Sequence, residues 1–311
     1  MSSDWKIFKG DGKSNNLDVE EFEKNAPPPP WRQKEAQETS KDCINTYIPD
    51  SGLIDIVNAA ILLRRPLLLT GEPGVGKSSL TYAIACELGL GDVLHWHIHS
   101  KSTVEEGLYS YDAIARLQDV QTLGEKAPSV EKYIKINPLG QAFGSSSKRV
   151  LLIDEIDKSD IDLPNNLLQI FEDRYFEIEV LKRLEVKKAK LGEEEDTIEV
   201  ENGRVDTKHF PIVILTSNNE RDFPPAFMRR CLHYHIKAPS RDRLEEIIKQ
   251  HFKKIDDMAK YETIIDAFVQ KRETTQLSTD QLLNAIYLSM NIDKEEFDKL
   301  QDKIWHSLIM E

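Results

Sequence analysis

Leu67-Leu68-Leu69-Thr70-Gly71-Glu72-Pro73-Gly74-Val75-Gly76-Lys77-Ser78-Ser79-Leu80 decides how this chain folds. Leu67 to Leu69, following Pro66, reads as a short buried strand. Leu80, Ala83, Ile84 and Leu88 recur at helical spacing, and the pattern stops at Gly89 and Gly91. Between strand and helix, Gly71 to Ser78 fits G-x-x-x-x-G-K-[ST] in full. Glycines there let successive backbone N–H groups turn inward around phosphate oxygens, and the following helix adds its positive end. Gly71, Glu72, Pro73, Gly74, Val75, Gly76, Lys77, Ser78 and Ser79 are therefore the expected nucleotide-binding residues. Lys77 should reach the β and γ phosphates, and the Ser78 hydroxyl should bind Mg²⁺. A chance match in a turn is the bland alternative, and the strand–loop–helix setting argues against it.

Working outward, Val93–Ile98, Val150–Ile153, Ile212–Leu215 and Cys231–Ile236 read as further strands, and Tyr175–Val180 is strand-like. Ile54, Val57, Ala60 and Ile61 mark a helix ahead of the loop, and Asn165–Phe171 is amphipathic. Ser102 with Glu105 three residues on is a plausible capping box. Strands apolar on both faces, alternating with helices, imply an α/β fold whose parallel sheet is covered on both sides, a three-layer core over 45–239. Beyond Pro239 only helical patterns remain, around Arg243–Phe252, Ile264–Val269, Leu282–Met290 and Leu300–Leu308, which predicts a small all-helical domain over 240–311.

Residues 1–44 differ from the rest. Pro27 to Pro30 favours a stiff extended chain. Trp5, Phe8, Phe22 and Trp31 could dock such an arm on its own domain or a neighbour; a poorly ordered tail is the alternative. Within the core, 181–209 looks inserted. Its alternating Leu184/Val186 and Ile198/Val200 flank an acidic cluster, which predicts a long, mostly exposed hairpin rather than a charged loop.

The chain has 311 residues and a formal net charge of -13 with pI near 5.2, which disfavours sequence-blind nucleic-acid binding. Cys43, Cys86 and Cys231 are far apart and imply no disulfide framework. No apolar run approaches the ~20 residues that cross a bilayer, and the N-terminus lacks a signal-peptide core. A cytoplasmic setting without membrane attachment is the expectation.

Chemistry is expected at three strand ends. Leu151-Leu152-Ile153-Asp154-Glu155 leaves a carboxylate, Asp154, placed to hold Mg²⁺ with Ser78. Glu155, one residue on, can polarise a water for attack on the γ phosphate. Leu215-Thr216-Ser217-Asn218-Asn219 offers a neutral amide to orient that water, Asn218 or else Asn219. Pro224-Pro225-Ala226-Phe227-Met228-Arg229-Arg230 ends a short helix in two arginines that could complete a neighbour's site; solvated arginines at a helix end are the bland reading. His95, His97 and His99 alternate and would share one sheet face. Zinc sites add ligands from a second element, and spacing reveals none, so a half-exposed face is expected here and at His233 and His235. Cys86 reads as core.

Together the phosphate loop, Leu-Leu-Ile-Asp-Glu-Ile-Asp, Leu-Thr-Ser-Asn-Asn and Phe-Met-Arg-Arg resemble the AAA+ ATPases of the P-loop NTPase class, where they correspond to Walker A, Walker B, sensor 1 and the arginine finger. The stretch Asn58 to Gly74 and Asp154-Glu155-Ile156-Asp157-Lys158 look like the MoxR-like branch, and the 181–209 insertion fits its pre-sensor hairpin. The resemblance implies ATP hydrolysis with Mg²⁺, a hexameric ring with Arg229 or Arg230 acting in trans, and a chaperone-like role on a partner protein, often one with a von Willebrand factor A domain. The family's lid arginine has no counterpart in Leu277-Ser278-Thr279-Asp280-Gln281; Lys271 or Arg272 could substitute. A nucleic-acid motor using the basic arm Lys182–Lys190, or a defence-system component, is the runner-up, and a non-hydrolysing nucleotide switch the third reading.

Overall fold

The apolar runs that frame the phosphate loop lie side by side in one parallel sheet. A computed structural model describes residues 18, 20, 24, 26–29, 47–191, 197–252, 258–275 and 277–305. The chain divides into two units, one of Ile48–Gly71 with Lys77–Ile236, the other of Met1–Tyr47, Glu72–Gly76 and Lys237–Glu311.

In the first unit, α1 (Ser51–Leu63) begins at Asp50, whose carboxylate accepts from the Leu53 N–H at 2.8 Å. It leads into β1 (Leu67–Thr70), then α2 (Lys77–Glu87) and β2 (Leu94–His97). After an excursion the chain adds β5 (Val150–Asp154), β10 (Ile212–Ser217) and β11 (Leu232–His235). The sheet runs β11-β1-β10-β5-β2, parallel at every pairing. With helices covering it, Leu67 to Leu69 and Leu151 to Ile153 are all 0% exposed. This is the three-layer core of a P-loop AAA+ fold, with Asp154, Ser217 and the phosphate loop at the same, carboxyl end of adjacent strands.

The excursion holds α3 (Val104–Leu108), β3 (Tyr109–Tyr111), α4 (Ala113–Leu123), β4 (Ile134–Ile136) and α5 (Pro138–Gly144). β3 and β4 pair antiparallel. α4 buries none of its residues and leaves Ile114, Leu117, Val120 and Leu123 exposed. The capping box of α3 is Thr103 with Glu106, one residue later than expected; the Ser102 hydroxyl instead accepts from the His99 N–H at 3.0 Å.

Between β5 and β10, α6 (Leu163–Asp173) buries Leu163, Leu167, Leu168, Ile170 and Phe171. The strand expected over Tyr175–Val180 splits into β6 (Tyr175–Glu177) and the short α7 (Glu179–Arg183). Then β7 (Lys188–Leu191), β8 (Ile198–Glu201) and β9 (Arg204–Asp206) complete an antiparallel sheet of order β6-β9-β8-β7. The hairpin of the insertion is therefore present as β7–β8, but it is not mostly exposed: Ala189, Leu191, Ile198 and Val200 bury their face in the main core. Leu184 and Val186 lie outside its strands. α8 (Pro225–Arg230) precedes β11.

In the second unit, α9 (Arg241–His251), α10 (Glu262–Arg272), α11 (Thr279–Asn291) and α12 (Lys294–Ile304) form the C-terminal helical region. They enclose their own core, including Leu244, Ile248, Ile265, Phe268, Leu282, Ile286, Phe297 and Trp305. The Tyr287 hydroxyl donates to the Pro27 carbonyl at 2.6 Å, so this part of the proline run rests on α11. Trp5, Phe8, Phe22 and Trp31 lie outside the described residues, as does Cys43. No helix among the described residues is long and apolar enough to cross a membrane.

Candidate nucleotide site

The loop after β1 bends at Gly74 and Gly76, with φ of +76° and +92°, conformations that L side chains rarely adopt. Gly74 is constrained a second way: a Cβ there would come within 2.4 Å of the Ser278 Cβ, at the start of α11. Ser278 and Gln281 form a capping box at that helix, in the stretch where the family's lid arginine is missing. Arg272, one of the two candidates for that role, donates its guanidinium to the Pro239 carbonyl at 2.8 Å and lies over the Phe268 ring.

Lys77 opens α2 and is only 7% exposed. Its ammonium donates to the Gly71 carbonyl and to Asn218 Oδ1, both at 2.7 Å. The backbone thus brings the loop lysine and the tip of β10 together across the sheet. Of the two asparagines, Asn218 makes this contact. Asn219 adopts φ +60° and donates its N–H to Ser217 Oγ.

The Ser78 hydroxyl donates to Asp154 Oδ1 at 3.0 Å. Thr216, buried on β10, donates to the same oxygen and accepts from the Glu155 N–H at 2.9 Å. Burial would raise the Asp154 pKa, but hydrogen bonds from His95, Thr216 and Ser78, with the His95 charge, outweigh it and hold the carboxyl at about 2. A hydroxyl beside an ionised carboxylate is a hard-oxygen donor set that suits Mg²⁺. The buried Lys77 ammonium suits phosphate.

Glu155 leaves the sheet in the left-handed region, φ +60° and ψ +47°, which turns its side chain away from the line of β5. Its carboxylate accepts from Lys158 Nζ at 2.8 Å, and this contact raises the lysine's pKa. Ser79 is exposed on α2.

Two positioning residues escaped the sequence reading. Asp157, 5% exposed, accepts at Oδ2 from the backbone N–H of Asn218 at 2.8 Å and of Glu220 at 3.2 Å, tying the exit of β5 to the tip of β10. Arg65 donates to the Arg229 and Arg230 carbonyls, capping the last turn of α8. The acidic residue was visible in the motif, but its partner is backbone, which no spacing rule names.

The two arginines differ. Arg230 donates to Glu172 on α6 and to the Ala226 carbonyl. The Arg229 side chain is exposed and makes no hydrogen bond or ion pair among the described residues. His95 Nε2 approaches Asp154 Oδ2 at 3.1 Å, and His97 faces the same oxygen. His99 lies past the strand and is exposed, accepting from the Lys101 N–H. His233 and His235 sit on the edge strand β11 and share Thr70 as a hydrogen-bond partner. Cys86 is half-buried.

Among solved structures, the chain resembles one from Cytophaga hutchinsonii described provisionally as an ATPase, with 12% identity, a TM-score of 0.43 and coverage of 86% of this chain and 88% of that one. No curated protein matches the chain. The profile of the AAA domain, dynein-related subfamily, matches residues 66–231, more than half of the 311 residues, from the strand before the phosphate loop to the arginines of α8. The chain belongs to this AAA family.

Proposed function

We propose that the chain hydrolyses ATP to ADP and phosphate in a homo-oligomeric, MoxR-like ring and couples that hydrolysis to remodelling a partner protein. The observation that carries this reading is the cluster at the strand ends: Lys77 held between Gly71 and Asn218, Ser78 beside Asp154, and Glu155 next along the chain. In the proposed roles, Lys77 and the loop from Gly71 to Ser79 bind the ATP phosphates. Ser78 and Asp154 hold Mg²⁺, which would neutralise phosphate charge when bound.

Glu155 takes a proton from the attacking water. Its present partner does not prevent this: Lys158 and Glu155 are 43% and 39% exposed, and such a screened pair is worth at most about 1 kcal/mol. Asn218, fixed through its own N–H by Asp157, orients the water. Arg229 is the arginine offered to a neighbouring subunit, because Arg230 is already tied to Glu172.

A protein partner is favoured over nucleic acid by the insertion. Lys182 and Lys188 of its basic arm are paired with Glu177 and Glu201, which removes part of the positive potential a phosphate backbone would need. The exposed apolar stripe of α4 is surface of the kind protein contacts use. A partner with a von Willebrand factor A domain is the class the resemblance points to, and a chaperone-like role in the cytoplasm the setting.

Steady-state ATPase activity against protein concentration, with particle mass followed by light scattering under ATP, tests the reading. Specific activity should rise as the mass shifts to a ring-sized particle. Activity that is independent of concentration in a monomer would contradict it.

A further inference from the structure

The two oxygens of the Asp154 carboxylate face different neighbours. Oδ1 takes hydrogen bonds from Ser78 and Thr216, on the phosphate-loop side. Oδ2 faces β2, with His95 Nε2 at 3.1 Å and His97 Nδ1 at 4.0 Å. Parallel pairing sets His97 opposite Asp154 and His95 opposite Leu152, so both imidazoles leave the same face, their ring centroids 3.7 Å apart. One ligand atom from each of the three residues falls within 4.8 Å of the others. The second-element ligand that sequence spacing could not supply is thus Asp154, brought in by strand register.

We propose that His95 Nε2, His97 Nδ1 and Asp154 Oδ2 form a binding site for a divalent transition-metal ion of the zinc class, distinct from the oxygen donors at Oδ1. Mg²⁺ prefers oxygen ligands and keeps its waters, whereas imidazole suits zinc and its neighbours. Ligands about 2.0–2.1 Å from one zinc ion at a tetrahedral angle stand about 3.3 Å apart, so the His95–Asp154 separation fits as it is. His97 has to move by about 1 Å, for which its side chain, 73% exposed beside the His95 ring, has room.

A direct hydrogen bond accounts for the His95 contact without a metal, whereas His97 Nδ1, at 4.0 Å, is beyond hydrogen-bond range of the same oxygen. Tyr82 supplies the outer support common at metal sites: its hydroxyl lies 3.3 Å from His95 Nδ1, where it orients the ring with Nε2 toward Oδ2. Water would fill the remaining coordination position. Since one carboxylate serves both sides, zinc occupancy also lowers ATP turnover in excess Mg²⁺, a consequence that rests on the hydrolase reading; zinc binding itself does not.

The test is equilibrium dialysis of the full chain against Zn²⁺ in excess Mg²⁺, without nucleotide. Wild type is compared with His95→Ala, His97→Ala and, as a control for adventitious histidine binding, His233→Ala. Wild type and His233→Ala should each hold one equivalent, and both β2 variants should bind at least about tenfold more weakly. Because His97 is exposed, its variant remains informative even if His95→Ala is poorly folded. No zinc bound by wild type, affinity retained in His97→Ala, or equal weakening in His233→Ala would overturn the proposal.

Discussion

At the scale of single residues, the phosphate-loop lysine shows what the sequence carries and what it leaves to the fold. Its proposed role as a phosphate ligand is legible from G-x-x-x-x-G-K-[ST]; its contact with Asn218, 141 positions away, comes only from the pairing of β1 with β10. Lys77→Ala removes a buried charge that a phosphate would meet, and ATP affinity should fall at least about a hundredfold, measured by calorimetry. The arginines at the end of α8 look alike in sequence and separate in structure. Arg229→Ala should lower ATP turnover by about a thousandfold if it completes a neighbouring site. Arg230→Ala, which loses a half-exposed pair with Glu172, should shift stability by no more than about 1 kcal/mol. ATPase assays and urea melts of both variants distinguish these outcomes. Cys231 offers a check on burial: desolvation pushes its thiol up to about 12, only partly opposed by Arg65. It should resist alkylation in the folded chain at neutral pH and react once urea unfolds it, as read by peptide mass spectrometry.

At the scale of elements, β1, β5 and β10 were legible because both faces of each are covered, which turns each into a continuous apolar run. The capping box at α3 was misplaced because Ser102/Glu105 and Thr103/Glu106 satisfy the same pattern, and only the backbone path decides between them. The excursion through β3, α4 and β4 went unread. Its strands have three residues each, too short for alternation to register, and α4 spaces its apolar residues by three without burying any. The insertion was read as exposed because its charged face dominates the composition, while its alternate residues pack inward. Gly140 marks how closely α5 approaches the end of α3: a Cβ there would lie 2.1 Å from the Leu108 carbonyl oxygen. Backbone has to shift to admit it, so Gly140→Ala should destabilise the chain by about 1–3 kcal/mol in urea unfolding.

At the scale of the whole molecule, one strand order explains why separate motifs converge. The order β11-β1-β10-β5-β2 puts the phosphate-loop strand beside β10 and β5 next to that, so Lys77, Asn218, Ser78 and Asp154 meet at the carboxyl ends of three adjacent strands. That convergence follows from fold class and was expected from the alternation of strands and helices. The metal-ligand geometry at β2 was not, because it depends on register between strands 59 residues apart in contact, His95 with Asp154. The measurement that tests the account most directly is phosphate release from ATP by wild type and Glu155→Gln, with ATP binding followed in parallel. Wild type should turn over, and Glu155→Gln should bind ATP with unchanged affinity while turning over at least about a hundredfold more slowly. Equal turnover in the two proteins, or none in wild type at any concentration, would contradict it.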